Sequence, residues 1–394
     1  MVVNILYFGN FNFPYGNAAG ARVLGNGKSL REAGHNIVFV DLNESGRFNI
    51  SSKKTFDGFI CHSLPSPTAF DRLFFWKYFL ILKEIVKKEK IQVFILYGNP
   101  VISFLHLLLN TFCAKNKIKF VVDVADWHSA NSGNYFIRLV KLFDIQFRMK
   151  YLNCKSNGVI TISSYLRNFY LSKGKNAVLI PPLIDKFRYS NLKFNLNFDR
   201  VNLIYVGYPF PNRNGRSVSK SAYKDRLDII IESLFKVKNR NFIFDIYGIS
   251  KEEYLKVINF HRNILTELKE NIVFHGKVEN SKALQYIANA DFSILFRENN
   301  RLSNSGFPTK FVESISCGTP MLTTYTSDLE RYLSVDRLGF GVSPEKNTDF
   351  IKLLEEILSF DKAKILFLKK SCFEYENFSF QKYSVNFNHF ITQL

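Results

Sequence analysis

Two stretches far apart in the chain read almost alike. Residues 3–9 are VNILYFG and residues 201–207 are VNLIYVG. Each is a short β-rich run that closes on a glycine, continues through a polar loop and enters a helical pattern. After the first, β-rich runs recur at residues 37–41, 58–62, 93–97, 120–123 and 158–162. Helical patterns lie between most of them, at 18–32, 69–88 and 134–155. After the second, runs follow at 243–248, 272–276, 291–296 and 320–324. Alternation of this kind builds βαβ units and a mostly parallel sheet covered by helices. The fold class expected is α/β, two Rossmann-like doubly wound domains facing across a cleft.

Two prolines at residues 181–182 break both helix and ladder and mark the linker. The expected domains are residues 1–185 and 186–375. The last stretch, about 376–394, is aromatic and helical in pattern, and is expected to pack back on the first domain. The chain has 394 residues, enough for two domains. Five cysteines, at 61, 113, 154, 317 and 372, form no C-x-x-C pair, so neither a zinc site nor a disulfide framework is expected. The charge-free run 91–114 reads as strand, Gly-Asn-Pro turn and helix rather than as a bilayer span. Residues 2–8 have no basic residue before them, which does not fit a signal peptide.

The formal net charge is +19, from 53 Lys and Arg against 34 Asp and Glu. Such a balance suits an anionic partner, although a sequence rich in Lys, Asn, Ile and Phe also carries basic residues by bias.

In doubly wound sheets ligands sit beyond the carboxyl ends of the strands, so the loops there carry the chemistry. The first, 9–22, is GNFNFPYGNAAGAR. It is neither G-x-G-x-x-G nor a P-loop. Gly16, Gly20 and Arg22 would let a phosphate approach, with the helix amides facing it; an ordinary Gly-rich turn accounts for them equally well. A second loop follows Gly207, with Arg213, Arg216 and Lys220, before Lys224-Asp225 introduces a helix. A third segment, 296–320, is FRENNRLSNSGFPTKFVESISCGTP. Arg297 ends a strand. Pro308 suits the first turn of a helix that stops near Gly318. Amides from Phe307 to Lys310 form an anion site aided by the helix dipole, and Glu313 can accept hydrogen bonds from two vicinal hydroxyls. Phosphate on amides and a diol on a carboxylate describe a nucleotide; a surface helix glutamate would look the same.

Taken together, these elements resemble the family 4 glycosyltransferases of the GT-B fold, especially those that assemble bacterial capsule and exopolysaccharide. The carriers are Arg31-Glu32-Ala33-Gly34-His35, Ile162-Ser163 with Tyr165-Leu166, Pro181 with Asp185, Tyr205-Val206-Gly207, Lys224-Asp225, Val273-Phe274-His275-Gly276, Ala290-Asp291-Phe292 and, most specific, GFPTKFVES…CGTP. The resemblance implies that Glu313 holds the nucleotide ribose, that Lys224 and an upstream arginine (Arg216 or Arg213) meet the donor diphosphate, and that Gly306 and Phe307 face the donor. Ser305, Pro308, Thr309, Lys310, Arg297 and Gly207 line the same site. Eight residues before Glu313 the family usually has Glu; here it is Ser305, which leaves the sugar open. In the first domain His128 is the family-like histidine toward the donor sugar, with Asp126 and His62 as rivals.

The implied reaction is sugar transfer with retention from a nucleoside-diphosphate sugar to a lipid-linked or oligosaccharide acceptor. The chain contains no D-x-D, so neither metal nor cofactor is expected. The expected location is cytoplasmic, with possible attachment to the inner membrane face. Two stretches mix basic and aromatic residues: Phe74, Phe75, Trp76, Phe79 and Leu80 with Lys77, Lys83, Lys87, Lys88 and Lys90; and Phe136, Leu139, Leu142, Phe143 and Phe147 with Arg138, Lys141, Arg148 and Lys150. Either lies on an anionic membrane or simply has a core face and a solvated face. A non-catalytic relative, a sugar-nucleotide epimerase and, more remotely, a nucleic-acid binder remain as alternatives; dispersed basic residues and no recognisable nucleic-acid motif speak against the last.

Overall fold

The computed structural model describes residues 2–14, 16–44, 52–68, 71, 74–98, 101–127, 135–192, 199–211 and 223–394. The chain forms two compact units. One comprises 1–184, 305–307 and 377–394; the other comprises 185–304 and 308–376.

The first unit is built on an eight-stranded sheet: β1 (Asn4–Gly9), β2 (Asn36–Glu44), β3 (Ser52–Phe56), β4 (Phe59–Pro65), β5 (Val93–Tyr97), β6 (Lys119–Val124), β7 (Gly158–Thr161) and β8 (Ala177–Leu179). Their order is β3-β4-β2-β1-β5-β6-β7-β8. All pairings are parallel except the β3–β4 hairpin. The central strands are continuous apolar runs because helices cover both faces, so side chains pointing either way are buried. Helices Trp76–Lys88 and Ser103–Lys115 flank β5, and Tyr135–Phe147 follows β6, continuing into a wider turn, Arg148–Leu152. The run at 91–114 is thus a strand and a helix. Among the described residues no helix is long and apolar enough to cross a membrane.

The tail belongs to this unit. Ile184 pairs with Ser379 in a parallel bridge, and Phe387 and Phe390 sit in the core with Ile5, Tyr7 and Ile160. Gly158 makes room for them: a Cβ there would lie 2.7 Å from the Phe390 ring.

The second unit has six parallel strands: β9 (Val201–Val206), β10 (Phe242–Tyr247), β11 (Ile272–Gly276), β12 (Phe292–Leu295), β13 (Met321–Thr324) and β14 (Gly339–Val342). Their order is β11-β10-β9-β12-β13-β14. Direction of winding reverses between β9 and β12, so the loops leaving these two strands open a crevice at the switch point. Helix Leu227–Lys236 follows the β9 loop, and helices Arg301–Ser305 and Thr309–Ser316 follow β12.

Candidate functional site

At the switch point of the second unit, β9 ends against the end of β10. The Gly207 amide donates to the Tyr247 carbonyl at 2.8 Å. Gly207 has φ +144°, and a Cβ there would lie 2.4 Å from Lys310 Cε. Gly248 has φ +103°, with space for a Cβ taken by the Gly207 carbonyl 2.6 Å away. Only glycine fits either position without strain.

Around this bare backbone stands a charge cluster centred on Asp225, which is 3% exposed. Its Oδ1 accepts from Arg297 Nε at 2.9 Å; its Oδ2 accepts from Tyr205 Oη at 3.0 Å and from Lys310 Nζ at 2.5 Å. Burial alone would raise this carboxyl, but the Lys310 and Arg297 cations outweigh it and hold it well below the usual carboxylate range, with Lys224 adding to the field. Arg297 is fixed by its backbone: its amide donates to Thr324 Oγ1 at 3.0 Å, and that hydroxyl donates back to its carbonyl at 2.7 Å. Its Nη1 is buried and makes no hydrogen bond among the described residues. Next to the cluster the Arg226 amide donates to the Phe296 carbonyl at 2.8 Å, and the Arg226 guanidinium pairs with Asp228 at 2.7 Å and with Glu298. The two switch-point loops are thereby clipped together. Lys310, Arg297 and the half-buried Lys224 outnumber Asp225, and an ammonium has three donors of which Asp225 uses one. The arrangement can receive an anion.

Helix Thr309–Ser316 supplies Lys310 and, one turn on, Glu313. Pro308 is its cap rather than part of its first turn, because ψ of 105° leaves it extended. Having no N–H, Pro308 offers no donor at the start of this helix, which leaves the amides of Thr309 and Lys310. Gly318, with φ +73°, ends the helix as expected. Glu313 is partly exposed, and its carboxylate makes no hydrogen bond or ion pair among the described residues. Burial raises its carboxyl above the ordinary range, against the nearby Lys310 and Arg188 cations. It is an open acceptor one helical turn from a cation.

Ser305, Gly306 and Phe307 fall in the first unit. Ser305 Oγ accepts from the Trp127 amide at 3.0 Å, and its carbonyl accepts from Ser163 Oγ at 2.7 Å. Phe307 is buried, edge-on to Phe378 at 6.4 Å. Ser305 therefore serves as a buried anchor where a donor-sugar contact was expected.

The first loop also differs from expectation. Arg22 is not a loop cation: it is 2% exposed and its guanidinium pairs with Asp123 at 2.7 Å and donates to the Ile180 carbonyl at 2.9 Å. Tyr7 and Asn26 hydrogen-bond to the same carboxylate. Several of the described loop amides are used internally. Those of Phe11 and Phe13 donate to Asp41 at 2.9 and 2.7 Å, and that of Gly20 to Asn17 at 2.9 Å. Gly20 instead allows close packing, since a Cβ would lie 2.7 Å from the Phe11 carbonyl. Gly16 is exposed and its amide donates to the Asn12 carbonyl at 2.9 Å. Asp126 is partly exposed just beyond β6, and His62 is buried with Nε2 3.6 Å from Glu89. His128, Arg213, Arg216 and Lys220 lie outside the described residues. Of the predicted residues, the structure brings Gly207, Arg297 and Lys310 together, with Lys224 beside them and Glu313 a turn away. It adds Asp225 and Tyr205, which the sequence motifs contain but to which sequence reasoning gave no role; the acid directly after Lys224 was the available signal.

Residues 215–359 match the family described as glycosyl transferases group 1. A search of the curated proteins found no match. Among solved structures, the chain is similar to sucrose-phosphate synthase from Thermosynechococcus elongatus (TM-score 0.71, 14% identity, 99% of this chain and 98% of that one). It is also similar to the apo form of the lipopolysaccharide outer core galactosyltransferase WaaB (0.66, 14%, 99% of each chain). A third is Anabaena HepE in complex with UDP and glucose (0.64, 11%, 100% of each).

Proposed function

On a GT-B fold whose second unit carries a group 1 glycosyltransferase domain, we propose that the protein transfers a sugar from a nucleoside-diphosphate sugar to a lipid-linked saccharide acceptor in surface-polysaccharide synthesis. The observation that carries this reading is the Lys310–Asp225–Arg297 cluster beside Gly207, with the open Glu313 carboxylate one turn along the same helix. Cations over bare backbone suit a diphosphate; an unpartnered carboxylate suits ribose hydroxyls. UDP with glucose, the ligand of the HepE structure, is of the class proposed.

In this reading the donor diphosphate meets Lys224, Lys310 and the amides of Thr309 and Lys310. As the bond from the anomeric carbon to the diphosphate oxygen breaks, negative charge grows on the leaving group and these fixed positive groups stabilise it. The cations take the place of a bridging metal. The acceptor hydroxyl attacks from the face that the diphosphate leaves, which retains configuration, and passes its proton to a phosphate oxygen. Lys310 gives up its bond to Asp225 in part to follow the charge.

The test is ligand-observed NMR with UDP-, GDP-, TDP- and CMP-sugars on the wild type and on Glu313→Ala. Binding of one nucleotide class, weakened about tenfold or more in the variant, is expected, since a lost hydrogen bond to a charged group is worth about 1.5–3 kcal/mol. Absence of binding by any nucleotide at millimolar concentration would overturn the reading in favour of a non-catalytic relative.

A further inference from the structure

We propose that helix Tyr135–Phe147 is the surface by which the first unit docks into the headgroup region of an anionic bilayer. No residue of this 13-residue helix is buried. Phe136, Leu139, Val140 and Phe143 are 72, 46, 53 and 72% exposed, and their i, i+3, i+4, i+7 spacing makes one stripe. A helix of a globular protein turns such a stripe to its core; here the stripe faces outward. The inner side is the tethered one. Asp144, the only carboxylate of the helix, accepts from the Ser103 amide at 3.3 Å. Its neighbour Phe104, 62% exposed, extends the apolar surface. From Phe143 a ladder of stacked rings runs to Phe147 at 5.9 Å and on to Tyr151 at 5.3 Å, where Lys155 lies 4.4 Å over the last ring.

Charge and length select the occupant. Arg138 and Lys141 on the helix, and Lys150 and Lys155 beyond it, are exposed beside the stripe, and the chain as a whole carries +19. Exposed tyrosines at both ends, Tyr135 and Tyr151, have an apolar ring and a polar tip suited to a wet boundary. A protein partner would not need this excess of cations; an anionic headgroup layer does. At about 1.5 Å per residue the helix is about 20 Å long, short of the about 30 Å needed to span, so it lies in the interface plane. The other basic aromatic stretch is excluded: helix Trp76–Lys88 buries Tyr78, Leu82, Ile85 and Val86, so its apolar face is core. Arg148, expected on the exposed side, is 5% exposed. The proposal draws on the lipid-linked acceptor reading for its purpose only.

Co-sedimentation at low ionic strength with phosphatidylcholine–phosphatidylglycerol vesicles, and with phosphatidylcholine alone, tests it on the wild type and on the double variant Phe136→Ser/Phe143→Ser. Both side chains are exposed, so melting temperature and nucleotide binding should be unchanged; the second readout separates this proposal from the donor site. The expected result is binding to the mixed vesicles, weaker on phosphatidylcholine alone, and about tenfold or more weaker in the variant. Failure of the wild type to bind the mixed vesicles, or equal binding by the variant, overturns the proposal. So does self-association in sedimentation velocity that the variant abolishes, which would assign the stripe to a second copy of the chain.

Discussion

Asp225 holds three side chains in one place, and its worth is electrostatic. Both it and Arg297 are almost fully buried, at 3 and 4% side-chain exposure. Removing one partner of a buried pair leaves the other charge uncompensated, at a cost of about 3–5 kcal/mol. Asp225→Asn should therefore lower second-unit stability by about that amount in urea titration, and adding Arg297→Met should restore most of it. The pH dependence has a definite sign. A carboxyl held below its ordinary value stabilises the fold above that value and loses the contribution as pH falls. The wild type should thus lose more stability than the variant between neutral pH and the acid range below about 4. Equal slopes would refute the pairing. Residue identity was legible here only in part. Lys310, Arg297 and Glu313 could be picked out because a strand end, a Gly-Phe-Pro turn and a helix fall in sequence. Asp225 and Tyr205 stand in quoted motifs, and the acid after Lys224 was a partial signal, but that the two meet depends on how the chain closes in space. Arg22 was misread for the same reason: beside a glycine-rich loop it looks available, and only the fold shows that Asp123, a hundred residues on, has claimed it.

At the scale of elements, helix Asn280–Asn289 ends inside the protein, where its last carbonyls need donors. Lys369, itself fully buried, supplies them: its ammonium donates to the Ala288 carbonyl at 2.9 Å, to the Ala290 carbonyl, and to Thr319 Oγ1 at 3.3 Å. Thr319 belongs to the turn after helix Thr309–Ser316, so one side chain ties two helix ends together. Lys369→Met preserves the apolar length but strands the carbonyls, at about 1–3 kcal/mol each. Chemical denaturation should show a loss of about 2–4 kcal/mol, and a loss below 1 would show that water replaces the lysine. The strands of the sheet centres were readable from their apolar runs. Three edge strands were not: β3 is SKKTF, β8 has three residues, and β14 carries two glycines. Edge strands are short and polar or glycine-rich because only one side of their ladder is paired, which removes the signal that marks central strands. Of the helix expected at 69–88, Trp76–Lys88 is helical and residues 71, 74 and 75 are turns, while 69, 70, 72 and 73 lie outside the described residues.

For the whole molecule, the doubling of one α/β pattern was visible from the paired VNILYFG and VNLIYVG runs. Interleaving of the two units was less so, because segments such as 305–307 change sides without any change in composition. The tail is the part that most affects the first unit. Deleting residues 377–394 removes Phe387, Phe390 and Ile391 from its core and opens the space beside Gly158. Each buried large apolar side chain contributes about 1.5–3 kcal/mol, so three amount to much of a domain's margin of about 5–15 kcal/mol. Limited proteolysis of the truncated chain should cut within 1–184 while 185–376 stays protected. Equal protection of both regions would show that the tail is dispensable.

That same tail sets a schedule for synthesis. All eight strands of the first sheet are synthesised before the second unit, yet their core lacks the rings of Phe387 and Phe390, which follow that unit in the chain. At roughly 5–20 residues per second, the interval between β8 and Phe387 is about 10–40 s. Through that time the newborn sheet presents an unfilled apolar seam around Ile160, while the later unit can reach completion first. Maturation therefore runs against chain order, and the nascent protein should need a chaperone's shelter during elongation more than after release.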